Sequence, residues 1–222
     1  MKKVDLSLLS FEARMTTDTG LLFLNEPDGI HCEGSLVYEE DVLGSAPVVV
    51  ARISGAVFVP QMARYWNELE WTDSIDSGFA KFMPLFDLEG LSGEVYSTLG
   101  EDAVFGVGPY LLLTKLKVPE EYRGQGLGLL ATLEAIKTFS SEAEIVAIHP
   151  FPLQFSEFAD REPERLPEFL AAQEKLIAYY EGIDFHVMEG TRSDNGNNVL
   201  MLKSVNLQSP KADAFLDSLM EK

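Results

Sequence analysis

Arg123-Gly124-Gln125-Gly126-Leu127-Gly128 places three glycines at alternate positions behind an arginine, and that spacing is suited to holding an anion. A residue without a Cβ lets the backbone approach a ligand closely. Upstream, Leu111 to Val118 reads as a mostly buried strand; downstream, Leu129, Leu133 and Ile136 recur on one face of a helix. The N–H groups that open a helix have no intrahelical partner, and the helix dipole adds partial positive charge at the same end. A phosphate or pyrophosphate is therefore favoured where strand, glycine loop and helix meet.

A second stretch with chemical content is Ala178-Tyr179-Tyr180-Glu181-Gly182-Ile183-Asp184-Phe185, a helix end running into a strand. It is followed by His186-Val187-Met188-Glu189, by Asp194-Asn195-Gly196, and by Val199-Leu200-Met201-Leu202-Lys203. Asn-Gly between apolar runs signals a hairpin. Arg123 to Gly128 resembles the acyl-CoA pyrophosphate loop of the GNAT superfamily of N-acetyltransferases, and Tyr180 to Phe185 looks like that family's helix-to-strand passage. Asp184 stands where the family usually has glycine. The resemblance covers about 110–205 and leaves the front half unmatched.

The resemblance implies an α/β (α+β) fold: a mixed, mostly antiparallel central sheet flanked by helices, with one strand pair splayed to admit acyl-CoA. It further implies acetyl-CoA as co-substrate and direct transfer of the acetyl group to an amine. Arg123, Gly124, Gln125, Gly126, Leu127 and Gly128 would bind the pyrophosphate, and the backbone of Leu116, Lys117 and Val118 the pantetheine arm. Tyr180 would be the general acid by motif position, with Tyr179 as its fallback. Leu111 to Val118 lacks the glutamate that some members carry, so His149 and Glu157 are its candidate substitutes as base. Histidine has the unperturbed pKa suited to moving a proton near neutrality. The acceptor is expected to be a small cationic amine, a protein N-terminus or a lysine. A CoA-binding regulatory or interaction module without turnover is the alternative.

Gly126-x-Gly128-x-x-Ala131 also satisfies a dinucleotide-binding fingerprint. Context argues against it: Pro119 to Arg123 separate the strand from the loop, and the next strand, Ile145 to Ile148, ends in His149-Pro150 rather than in an acid.

The charge of −19 disfavours nucleic acid, an anionic membrane surface or another polyanion as partner, and favours a cation. The acidity is uneven. Between Tyr110 and Lys137, Lys115, Lys117, Arg123 and Lys137 outnumber Glu120, Glu121 and Glu134, which suits an anionic cofactor on one side and an amine on the other. One cysteine, Cys32, excludes an internal disulfide framework. His31, His149 and His186 are scattered, so no metal site is expected. The N-terminal residues lack a signal-like apolar segment and no apolar run is long enough to span a bilayer; a cytoplasmic protein is expected.

With 222 residues, 46% of them hydrophobic, the chain can bury one large core, and residues 1–222 are expected to form one domain. Val4 to Leu9, Leu21 to Leu24, Ser35 to Glu39 and Val48 to Val59 read as strands; Gln61 to Glu70 and Ser74 to Phe86 read as helices, with Pro84 ending or kinking the second. The family's two early helices follow its first strand, so a helical insertion near 60–108 is expected here. Tyr65, Trp66, Trp71 and Phe79 with neighbouring acids could wall a cationic acceptor. Pro163 to Tyr180 reads as a helix, or as a turn and helix divided by Pro167. A last amphipathic helix over 210–222, with Ala212, Phe215, Leu216 and Leu219 in its stripe, is expected to dock on the body or on a second copy, giving a homodimer.

Overall fold

The computed structural model describes residues 2–17, 30–39, 46–58, 80–87, 90–105, 108–140, 143–155, 166–192, 198–205 and 208–220. The readings of Leu21 to Leu24, Gln61 to Glu70, Glu157, the aromatic wall (Tyr65, Trp66, Trp71, Phe79) and Asp194-Asn195-Gly196 lie outside them.

A mixed seven-stranded sheet dominates the chain. Its strands are β1 (Leu9–Thr17), β2 (Ile30–Tyr38), β3 (Val48–Phe58), β6 (Tyr110–Lys117), β7 (Ile145–Ile148), β8 (His186–Met188) and β9 (Leu200–Ser204), in the order β1-β2-β3-β6-β7-β9-β8. A two-stranded ribbon of β4 (Phe86–Asp87) and β5 (Gly90–Leu91) stands apart. Every pairing in the large sheet is antiparallel except β6 with β7. A doubly wound nucleotide-binding sheet is mostly parallel, so the rival reading of the glycine loop fails on topology.

Among the described residues four α-helices accompany the sheet: α1 (Gly93–Leu99), α2 (Leu127–Phe139), α3 (Leu166–Glu181) and α4 (Pro210–Met220). On one face Leu129, Ala135, Ile136 and Phe139 of α2, Ile177 and Tyr180 of α3, and Ala212 of α4 pack on Ile53, Val57, Leu111, Leu113, Val146 and Met201. On the other, Phe82, Leu85, Leu91, Val95 and Val104 pack on Ala56, Phe58, Tyr110, Leu112, Ala147 and Leu202. The second layer is built by the segment between β3 and β6. Strands buried on both faces read as continuous apolar runs, and Tyr110-Leu111-Leu112-Leu113 and Ile145 to Ile148 are such runs.

Local differences from the sequence reading have identifiable causes. Leu6–Leu8 is a 3-10 turn rather than strand, because the Asp5 carboxylate accepts hydrogen bonds from the Ser7 N–H and hydroxyl and caps the turn. The stretch read as helix from Ser74 to Phe86 contains a 3-10 segment, Ala80–Leu85, with Pro84 inside it, and Phe86 has turned into the β4–β5 ribbon. Proline lacks the N–H that a longer α-helix would need. Pro167 does not divide its helix: it lies in the first turn of α3, where that N–H would have no partner in any case.

Candidate functional site

β6 and β7 run side by side only from Tyr110↔Ile145 to Leu113↔Ile148. Beyond Leu113 the register of β6 with β3 slips, with Ser54 opposite Lys115 but Gly55 opposite Leu113, so Thr114 is an extra residue. Its hydroxyl donates to the Ser54 carbonyl at 3.1 Å. A bulge bends its strand and adds twist. From Thr114 to Lys117 β6 continues without β7, while the chain leaves β7 through His149 and Pro150. The two parallel strands part at this end, as the resemblance implied.

The glycine loop follows. Pro119 leads into a 3-10 turn, Glu120–Tyr122, whose buried Tyr122 anchors it, and the Arg123 Nε donates to the Val118 carbonyl at 3.1 Å, tying the ends of the turn together. Gly124 and Gly126 have φ of 76° and 77°, a left-handed conformation that costs glycine little, and Gly126 is the N-cap of α2. Gly128 is required for a different reason. A Cβ there would lie 2.6 Å from the Tyr179 hydroxyl and 3.2 Å from Leu116 Cδ2.

Tyr179 reaches back to the same turn: the Leu129 N–H donates to its hydroxyl oxygen at 2.9 Å. The amides of Leu127 and Gly128, the two residues before Leu129, have no intrahelical partner and engage no other among the described residues. Burial pushes the Tyr179 phenol up and the Leu129 bond opposes this, with a net rise, so the hydroxyl keeps its proton. That proton remains available for donation.

Tyr180 sits deeper. Its side chain is 9% exposed and its ring packs edge-on against Phe185 at 5.8 Å and Tyr179 at 5.5 Å. Burial, with Tyr179 adding to it, pushes its phenol strongly upward. His149 is half-buried just past the end of β7, its ring stacked at 5.6 Å on Phe151, which also meets Phe169 of α3. The parting of β6 from β7 thus has Leu116, Lys117 and Val118 on one strand and His149 leaving the other. The glycine loop stands at the end of β6, and Tyr179 of α3 meets α2 at its first turn. Lys115 and Lys117 are exposed, whereas Leu116 is half-buried under Gly128.

No protein-family model matches the chain, and no curated protein matches it. Among solved structures it is similar to one described as Arabidopsis thaliana NAA60 in complex with acetyl-CoA. The identity is 14%, the match covers 89% of this chain and 100% of that one, and the TM-score is 0.42.

Three supports of the loop escaped the sequence reading. The Gln125 side chain accepts from the Val4 N–H at 3.0 Å and donates to the carbonyls of Lys2 at 2.7 Å and Tyr122 at 3.2 Å. The N-terminal residues are thereby stapled to the loop, and the Lys2 N–H adds a bond to the Glu121 carbonyl at 2.7 Å. Tyr179 is the tyrosine that touches the loop. Finally, Phe215 and Leu219 of α4 cover Gly126, where a Cβ would meet them at 3.2 and 3.3 Å. The last two left a trace in the sequence, Tyr179 in its pairing with Tyr180 and α4 in its apolar stripe. None of the described helices is long and apolar enough to cross a membrane. Among the described residues no group of three or more His, Cys, Asp or Glu could hold a metal ion.

Proposed function

We propose that the protein is an acetyl-CoA-dependent N-acetyltransferase that transfers an acetyl group directly to an amine. The observation that carries this reading is the first turn of α2. Two amides unpartnered among the described residues, and a glycine packed under a tyrosine hydroxyl, stand where β6 and β7 part. A pyrophosphate is held by such amides, and an acyl arm can pair with strand backbone that, among the described residues, has a neighbour on one side only. Leu116, Lys117 and Val118 supply that backbone; Arg123 to Gly128 supply the loop.

In the reaction a C–N bond to the acetyl carbon forms and the thioester C–S bond breaks. The amine's proton must leave, and the departing thiolate must receive one. His149, at the end of β7, is the proposed acceptor of the first proton, directly or through water. For the second, the motif favours Tyr180 and the contact with Leu129 favours Tyr179, whose proton is not committed to an acceptor among the described residues. The amine is proposed to be cationic before it binds, in keeping with a chain of charge −19. A small amine, a protein N-terminus and a lysine share that chemistry. Residues 1–222 are proposed to act as one domain, in the cytoplasm.

A CoA-binding module without turnover has one observation on its side, the burial of Tyr180 among Ile183 and Phe185. Thermal-shift titration with acetyl-CoA, CoA and NAD in parallel tests the cradle, since a ligand that binds only the folded state raises its stability. Stabilisation by acetyl-CoA and CoA alone is expected. Acetylation of an amine panel then separates enzyme from module, and a response to NAD alone would overturn both.

A further inference from the structure

Asp184 occupies the position where the family pattern has glycine, and its backbone pays the expected cost, with φ at 64°. A side chain in the left-handed region is strained relative to glycine. What the carboxylate does there is visible in its partners. Asp184 Oδ2 accepts from the Ser209 hydroxyl at 2.9 Å and from the Lys211 N–H at 3.1 Å, the latter in the first turn of α4. Lys203, buried in β9, donates to the Ile183 carbonyl at 2.8 Å and to Ser209 Oγ. The Lys211 ammonium donates to the Glu181 carbonyl at 3.0 Å. The start of α4 is thus fastened at several points to the passage from Glu181 to Asp184.

Both ends of this arrangement lead to the glycine loop. Tyr179, at the end of α3 just before that passage, holds the Leu129 amide. On α4, Phe215 and Leu219 cover Gly126. The geometry points to Asp184 as a positioning residue for the anion loop: by capping α4 from outside the helix, it holds Phe215 and Leu219 against Gly126 and so keeps the N-cap turn of α2 in its binding shape. The ligand part of this assignment rests on the acetyl-CoA reading above; the positioning part does not.

The experiment compares Asp184→Gly, Asp184→Asn and Ser209→Ala with the parent protein. It reads amide hydrogen exchange in the ligand-free state and the Kd for CoA by calorimetry. Asp184→Gly removes the strained φ as well as the acceptor, so a residue serving only the turn would gain from it. The positioning role predicts the reverse. Exchange at Leu129 and Leu130 rises by about fivefold or more, the scale of one lost hydrogen bond, while Val146 in the centre of the sheet is unchanged. The Kd for CoA weakens by a similar factor. Asn retains an acceptor oxygen and tolerates the left-handed region, so Asp184→Asn should restore most of the protection. Ser209→Ala, which leaves the backbone alone, should give a smaller shift in the same direction. Unchanged or slower exchange at Leu129 and Leu130 in Asp184→Gly overturns the proposal, as does an unchanged Kd in a protein that binds CoA. Faster exchange in a protein whose parent does not bind CoA upholds the positioning role and sinks the acetyl-CoA reading instead.

Discussion

The two ends of β6 have been built for opposite purposes. At Tyr110 the strand is zipped to β7 and closed: the Glu144 carboxylate is buried, accepts from the Phe105 N–H at 3.2 Å and fills the space beside Gly108. Tyr110 itself is 1% exposed. At Lys117 the same strand has lost β7, alternates half-buried and exposed residues, and runs into amides without partners among the described residues. One extra residue, Thr114, separates the two regimes. Scaffold and site can share a strand if a bulge decouples them, because pairing energy is then concentrated at the end that need not open.

The open end is where the largest losses are expected. If a tyrosine protonates the thiolate as proposed, removing its hydroxyl should lower kcat by about 10²-fold or more, the usual scale of a positioned acid. Tyr179→Phe and Tyr180→Phe, assayed for acetyl transfer with CoA affinity measured alongside, decide between the two. If neither lowers turnover, the open end binds without catalysing. Gly128→Val comes next. Its side chain must displace the Tyr179 hydroxyl or Leu116, so CoA affinity should fall by more than about tenfold. The circular-dichroism spectrum should stay unchanged, and a parental thermal shift with CoA in this variant would remove Gly128 from the cradle.

At the junction, Gly55→Ala drives a Cβ into the Leu112 carbonyl opposite the bulge. A loss of about 1–3 kcal/mol in urea denaturation is expected, on the scale of overpacking. A neutral result would mean that the bulge is not a fixed point of the sheet.

The closed end should answer weakly and only in stability. The Tyr110 hydroxyl is buried with no hydrogen-bond partner among the described residues, and burial, with Glu144 and Tyr96 adding to it, pushes the phenol far up. Tyr110→Phe therefore removes a desolvated group and should change stability by less than about 1 kcal/mol, in the favourable direction, with transfer activity intact. A clear loss would show that the hydroxyl has a partner and that the closed end is more than a seal.

The smallest effect concerns pH. Burial raises the Asp184 carboxyl, but the bonds from Ser209, Lys211 and Ala212 and the Lys203 charge outweigh it and hold it below the usual range. A depressed carboxyl stabilises the fold above its unfolded pKa, about 3.9. That contribution is lost as pH falls through the lower folded value. Denaturation below about pH 4 should therefore be slightly less acid-sensitive in Asp184→Asn than in the parent, the difference vanishing near neutrality apart from a constant offset. Asp184 is only half-buried, so screening keeps the effect small. Equal acid sensitivity in both would mean that Asp184 is not tied to α4 in solution.

Much of the sheet could be read from one sequence because its signals are local. Val48 to Phe58, apolar but for Arg52, Ser54 and Gly55, and the apolar run Ile145 to Ile148 end where the chain must turn, and Leu111-Leu112-Leu113 followed by Thr114-Lys115-Leu116-Lys117 records the change from two buried faces to one. The front half was harder. The segment after β3 covers a sheet face through Phe82, Leu85 and Val95, yet its described part is short turns, a ribbon and one two-turn helix with no sustained period to detect.

The amino-acid sequence by itself determined that a glycine-rich turn would open α2, since glycine spacing and helix polarity act within a few residues. It equally determined that two adjacent tyrosines would end α3. Which tyrosine meets the turn was decided by tertiary structure, because neighbours on a helix point about 100° apart and only the packing of α3 against α2 selects between them. The same holds for Asp184, Gln125 and Phe215. Their partners lie tens of residues away in the chain, and long-range hydrogen bonds and contacts leave no periodic trace in it.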